Sequence, residues 1–395
     1  MKTLFRNGSV FDADRKCFVQ ADVMIRDSEI VSVSSFVCPA VDEVKIVDCK
    51  DKFIIPGLVD VHTHGRSGTD FNDLTDENAA ALLESYARVG TTTVMATLAS
   101  VPPEGFYRTA EVINKHRNAV PGLATIAGIH LEGRYLNPVK RGAHNPEYLA
   151  PLSDPGAEDL LKKMLPLPLH VSAALELDDG SFTELVKRLG GTLGLAHTNA
   201  TFEEAVRAVE RGATSFTHTF NTMPPLHHRA PGAIGASLMC DGAYSEIICD
   251  GLHVHPAMVR MLERLKPRDK VVLITDSMEA AGMSDGEYSI AGLPVTVKDG
   301  KAVNHEGALA GSTLDLMTAL RNYMKFCSLT LEEALPAATS NPAGMVGIDN
   351  VCGRIKTGMR ADLIVLKDKE NADIDSVWAA GKRVVRYNAQ AYTRR

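Results

Sequence analysis

The sequence predicts an α/β fold: a (β/α)8 TIM-like barrel with a small β-sandwich built from the N- and C-terminal segments. Three observations lead there. Through the middle of the chain about eight short apolar runs alternate with helical patterns, the mark of a parallel sheet covered by helices. Both ends carry short stretches of alternating apolar and polar residues around glycine turns. No GxGxxG follows the first apolar run, which disfavours an open, doubly wound sheet.

Residues 1–54 form the N-terminal part of the sandwich, with "KTLFRNGSVF", "ADVMIRDSEIVSVSS" and "KIVDC" separated by Asn-Gly and Asp-Ser turn signals. The barrel occupies 55–354. Its strands read "GLVDV", "TTVMATL", "LATIAGI", "LHVSAAL", "TLGLA", "ATSFT", "EIICD" and "VVLIT", with helical segments such as "ENAAALLESYARVG" and "TFEEAVRAVERG" between them. Residues 355–395 return to short β runs, "GRIKTGMRADLIVLKD" and "VWAAGKRVVR", and complete the sandwich. With 395 residues, 45% of them hydrophobic and 23% charged, the chain has ample material for such a core.

A formal charge of −7 argues against a nucleic-acid partner, while a local basic pocket for a small phosphate stays compatible with it. The opening "MKTLFRNGSVFDADRK" lacks the continuous apolar segment of a secretion signal, and no run reaches the length of a membrane span. A cytoplasmic protein with no membrane partner is therefore expected. The seven cysteines are odd in number and never spaced as CxxC, so they read as reduced thiols.

In a (β/α)8 barrel the active site lies at the carboxyl ends of the strands. Here "GLVDVHTH" ends in His62 and His64, "TIAGIHLEG" in His130 and Glu132, "GLAHTNAT" gives His197, "TSFTHTFN" gives His218 and "VVLITDS" gives Asp276. Residues i and i+2 of a strand share a face, so His62 and His64 can address one metal ion. A lone histidine is usually a hydrogen-bonded core or surface residue, which is how His116, His170 and His305 read. Ligand-type residues at five strand ends are a different matter. Glu132, His197 and His218 would leave a coordination position open to water, as catalytic metal sites require. Asp276 would accept that water's proton and return it to a leaving amine; a helix N-cap is its alternative reading.

At these residues the chain resembles the amidohydrolase superfamily, and within it the family of N-acetylglucosamine-6-phosphate deacetylases. The likeness runs nearly end to end, through "PGLVDVHTHG", "GIHLEGRYLNPVKRGAHN", "AHTNAT", "THTFNTMPPLHHRAPG", "ICDGLHVHP", "TDSMEAAG" and "GALAGSTL". It implies hydrolysis of the N-acetyl group of an amino-sugar phosphate, giving the free amine and acetate. By motif, Glu132, His197 and His218 hold the principal metal ion and Asp276 is the acid/base. His144 contacts the amide carbonyl, with Ala143 beside it. Asn221 and Thr222 donate to the sugar phosphate, and Arg229 and His253 bind the phosphate. Asp250, Gly251 and Leu252 complete the "DGLH" segment, and Leu309, Ala310 and Gly311 form a loop over the sugar. The resemblance also implies a homodimer in which Arg229 and His253 reach the neighbouring subunit's site.

Some members of that family lack the HxH pair; its presence here allows a second ion on His62, His64 and Asp276. One or two divalent ions are therefore expected, with zinc, iron, manganese and cobalt all suited to the ligands. Two departures touch substrate fit: Leu175 precedes Glu176 where the family usually has proline, and "HGRSGTD" places Arg66 near the expected entrance. The neighbouring alternative is N-acetylgalactosamine 6-phosphate as substrate. The alternative from another class is a silent barrel kept for binding, which the full ligand set disfavours.

Overall fold

The computed structural model describes residues 1–38 and 44–386. Eight parallel strands follow one another in chain order: β1 (Leu58–Thr63), β2 (Thr91–Leu98), β3 (Thr125–Glu132), β4 (Leu169–Ala173), β5 (Thr192–Leu195), β6 (Ser215–Phe216), β7 (Tyr244–Ile248) and β8 (Val271–Ile274). Every residue of β1, β2, β4 and β8 is buried, because helices cover one face and the barrel interior the other. β1 and β8 meet just beyond their carboxyl ends. There Asp276 N–H donates to the His62 carbonyl at 2.9 Å and His64 N–H to the Ser277 carbonyl at 2.8 Å. Below them the Thr275 hydroxyl donates to Asp60 Oδ2 at 2.6 Å. This seam sets residues 62–64 beside 276, although more than two hundred residues separate them in sequence.

The helices between strands carry local stop and start signals. Phe202–Arg211 begins at a capping box between Thr201 and Glu204 and ends at Gly212; an N-cap of this kind contributes about 1 kcal/mol. Gly128 in β3 allows a close approach, since a Cβ there would stand 2.4 Å from the Pro168 carbonyl oxygen.

The two ends of the chain join in one mixed sheet. Its order is Lys382–Arg386, Asp373–Ala379, Leu363–Asp368, Phe53–Pro56, Lys2–Asp12, Cys17–Arg26, Glu29–Ser34, with Val44–Asp48 added along Lys2–Asp12. Lys2–Asp12 pairs with Val44–Asp48 through its first half and with Phe53–Pro56 through its second, so the sheet divides there. Alternation then decides which core each residue joins. Leu363 and Val365 pack with Phe5, Val23, Ile54 and Trp378 inside the terminal unit, while Ile364 and Leu366 face the barrel core. Phe5 meets Trp378 edge-on at 4.9 Å, worth about 1 kcal/mol beyond its buried area.

One element goes beyond the β/α alternation read from the sequence. After β8 the chain forms a three-stranded antiparallel sheet, Gly286–Ile290, Leu293–Lys298 and Lys301–Asn304, before the helix Leu316–Cys327. Its two hairpins turn at Ala291-Gly292 and Asp299-Gly300, all four residues at positive φ, as two-residue hairpins require. Met278, Ile290, Val295, Val297 and Ala310 give this flap its own apolar cluster. Among the described residues no helix is long and apolar enough to cross a membrane.

Candidate metal centre and active site

The barrel brings the residues expected at the strand ends into one buried cluster. His62 and His64 point the same way, their Nε2 atoms 3.2 and 2.9 Å from Glu132 Oε2 and 3.5 and 3.3 Å from Asp276 Oδ1. The other carboxylate oxygen serves the other pair: Glu132 Oε1 lies 2.9 Å from His218 Nε2 and 3.4 Å from His197 Nε2. Glu132 thus stands between two histidine pairs, one oxygen to each.

Second partners orient the rings. His197 Nδ1 faces the Lys140 carbonyl at 2.8 Å, which makes it the protonated nitrogen and leaves Nε2 with its lone pair toward the cluster. His62 Nδ1 faces Glu246 Oε2 at 3.1 Å, and its buried Nε2, though close to Glu132 and Asp276, makes no well-aligned hydrogen bond to either. Three members, His197, His218 and Asp276, have φ of 44°, 29° and 49°. Non-glycine residues in this region cost about 1–3 kcal/mol each and persist where surrounding structure over-determines them. No helix follows Asp276, so the capping alternative does not arise.

The electrostatics call for a cation. Burial opposes charge on His64, yet Asp276 and Glu132 outweigh it and hold its pKa at about 9. Burial likewise opposes a charged His62, and Glu132, Glu246 and Asp276 raise it well above the ordinary value. Glu132 shows the reverse: burial pushes its carboxyl up, but His62, His197 and His218 hold it well below the usual range. A divalent ion would supply the positive charge that these buried carboxylates otherwise draw from protonated rings. Ligand atoms of His62, His64, Glu132 and Asp276 lie within 4.8 Å of one another, as do those of Glu132, His144 and His197, so the donor set fits a metal centre.

Above the cluster opens a cavity of about 280 Å³. Ala143, His144, Asn221, Thr222, His253, Leu309, Ala310 and Gly311, all expected at the site, line it. His144 is neutral, its pKa pushed down to about 3 by burial and by neighbouring His197. Asp250 lies behind the wall and holds His253 Nδ1 at 2.6 Å. Gly251 adopts a φ of 78° in the turn between them, and Leu252 is half exposed, outside the cavity. Arg229 is also outside, exposed on the loop after Met223, its Nη1 2.7 Å from His228 Nε2.

Other candidates have structural duties. His130 shares a face of β3 with Glu132 but sits one layer deeper, its nitrogens 3.0 Å from the Val61 carbonyl and 2.8 Å from Ser172 Oγ. Arg66 is buried over Gly282 and does not line the cavity. Leu175 is buried, and Glu176 beside it accepts from Asn137, Thr198 and Asn199, bracing the loop that carries His197. Sequence reasoning missed Ser100, Ile290, Ala291 and Leu293 in the cavity wall, and Glu246 behind His62. An acidic residue opening the apolar run "EIICD", within the buried strand Tyr244–Ile248, was the available signal for Glu246.

The chain belongs to the amidohydrolase family, whose model matches residues 53–384. It is 32% identical to the N-acetylgalactosamine-6-phosphate deacetylase of Escherichia coli O157:H7 over 86% of this chain and 89% of that one. It is 31% identical to the N-acetylglucosamine-6-phosphate deacetylase of Lysinibacillus sphaericus over 93% and 94%. The solved N-acetyl-D-glucosamine-6-phosphate deacetylase of Mycobacterium smegmatis, a variant in complex with N-acetyl-D-glucosamine-6-phosphate, superposes with a TM-score of 0.87 at 30% identity, covering 97% of this chain and 99% of that one.

Proposed function

We propose that the chain hydrolyses the N-acetyl group of N-acetylglucosamine 6-phosphate to glucosamine 6-phosphate and acetate. The observation that carries this is Glu132, set between His62/His64 and His197/His218 with Asp276 at its side. Glu132, His197 and His218 would hold one divalent ion, and His62, His64 and Asp276, sharing Glu132, a second. Zinc, iron, manganese and cobalt all suit these donors. When bound, such an ion polarises water and the amide carbonyl, supplying Lewis-acid chemistry.

The chain's own groups do the rest. Asp276 Oδ1 takes a proton from the attacking water and returns it to the departing amine nitrogen. His144 donates to the amide oxygen as negative charge gathers there. Ile290 and Leu293 of the flap keep bulk water from the reacting atoms. His144→Asn is expected to lower kcat by about 10²- to 10³-fold, the usual cost of one oxyanion donor, with metal content unchanged; equal kcat in the two proteins contradicts the assignment.

Arg229 fits this reading as a group donated to a second copy. The loop "MPPLHHRAPG" is stiffened by its prolines, and Arg229 on it is exposed and does not line its own cavity. In a homodimer Arg229 would serve the partner's sugar phosphate, while His253, expected to reach the neighbouring site, lines its own cavity and would serve the phosphate bound there. Mixing Asp276→Asn subunits with Arg229→Ala subunits should then regain activity in heterodimers, through one intact site; verified heterodimers as inactive as either parent exclude sharing.

N-acetylgalactosamine 6-phosphate is the second reading, favoured by the identity to the Escherichia coli O157:H7 enzyme. Acetate release from both epimers, measured side by side, tests the assignment. The glucosamine compound should give the higher kcat/KM, the reverse order selects the second reading, and release from neither overturns both.

A further inference from the structure

We propose that Ser100 fixes the tautomer of His144, making the ring a hydrogen-bond donor to the substrate through Nε2–H and not a further metal ligand. The inference rests on the proposed function in giving His144 a substrate carbonyl to address. The choice between donor and ligand is a real one, because a ring nitrogen of His144 lies within 4.8 Å of ligand atoms of both Glu132 and His197.

Ser100 stands two residues past β2, almost fully buried, and contributes to the cavity wall. Its hydroxyl oxygen is 3.0 Å from His144 Nδ1, and its backbone N–H donates to the same nitrogen at 3.4 Å. The Arg134 N–H donates to the Ser100 hydroxyl oxygen at 3.0 Å. That last bond uses one of the hydroxyl's two lone pairs and leaves its proton free to donate. Among the described contacts, the one acceptor within reach of its proton is His144 Nδ1. A proton on Nδ1 would also face the Ser100 N–H directly. Nδ1 therefore accepts, and in the neutral ring the proton sits on Nε2. A protonated Nε2 has no lone pair for a metal ion and points a donor into the cavity.

The arrangement is built into the backbone. Gly133, immediately after Glu132, lets Ser100 approach: a Cβ there would stand 2.5 Å from Ser100 N and 2.7 Å from its Oγ. The glycine in "HLEGR" thus has a duty at the site beyond following a ligand.

Ser100 is a positioning residue, so its loss should act on turnover and leave ground-state binding alone. Ser100→Ala is expected to lower kcat by about 10- to 10²-fold, the usual cost of removing a group that orients a site residue, with KM and metal content near wild type. Nitrogen-15 NMR of histidine-labelled, zinc-loaded enzyme, with His144 assigned by its loss in His144→Asn, reads the tautomer directly. The expected wild-type result is a protonated Nε2 and an unprotonated Nδ1. A protonated Nδ1 in the wild type overturns the proposal, as does wild-type kcat in Ser100→Ala when His144→Asn is impaired. An unimpaired His144→Asn would instead overturn the role given to His144, which separates the two failures.

Discussion

Asp276→Asn is expected to leave a folded protein whose release of acetate from N-acetylglucosamine 6-phosphate falls by about 10²- to 10⁴-fold, the contribution of general acid–base catalysis by one positioned group. Fold should survive because backbone bonds hold position 276: its N–H donates to the His62 carbonyl at 2.9 Å and its carbonyl accepts from Ser312 N–H at 2.7 Å. Asparagine keeps nearly the same size but loses both the ability to carry a proton and the negative charge that Asp276 would offer a second ion, so metal content is measured on each protein as well. Steady-state rates with a thermal melt on each protein check both halves. Turnover near wild type would remove Asp276 from the proton path.

Removing the phosphate from the substrate should cost a comparable amount. The acetamide is small and neutral, so orientation must come from the far end of the sugar, where a phosphate can draw charge-assisted hydrogen bonds. Burial opposes charge on His253, but Asp250, with its carboxylate 2.6 Å from Nδ1, outweighs it and raises the ring's pKa. Hydrogen bonds to the phosphate from His253, whose charged form Asp250 favours, and from Arg229 of the second subunit would each contribute about 1.5–3 kcal/mol, so kcat/KM for unphosphorylated N-acetylglucosamine should be about 10²- to 10⁴-fold lower. Arg229→Ala should narrow that gap by harming the phosphorylated substrate alone. Equal use of the two sugars by the wild type contradicts the phosphate's role.

Much of the site is legible in the chain, for a physical reason. A parallel strand buried on both faces must be apolar, so a polar residue at its end stands out; that is how the amino-acid sequence alone marks His62, His64, Glu132, His197, His218 and Asp276. His130 meets the same criterion yet lies outside the cluster, because two residues along a strand is one layer down the barrel, where Ser172 and the Val61 carbonyl satisfy its ring nitrogens. The flap is harder to see although Asp299-Gly300 is a strong hairpin signal; it falls where a β/α alternation leads one to expect a helix. Ser100 and the Lys140 carbonyl carry no signal of their own type, since a serine and a backbone oxygen occur everywhere. Their importance comes from which ring nitrogen they meet.

The central claim is that the cluster around Glu132 works as a metal-dependent deacetylase site. Its most direct test is acetate release from N-acetylglucosamine 6-phosphate by protein of measured metal content, before chelation, after chelation and after return of zinc, iron, manganese or cobalt. Activity should vanish with the metal and return with it. Full activity in demonstrably metal-free protein would contradict the claim.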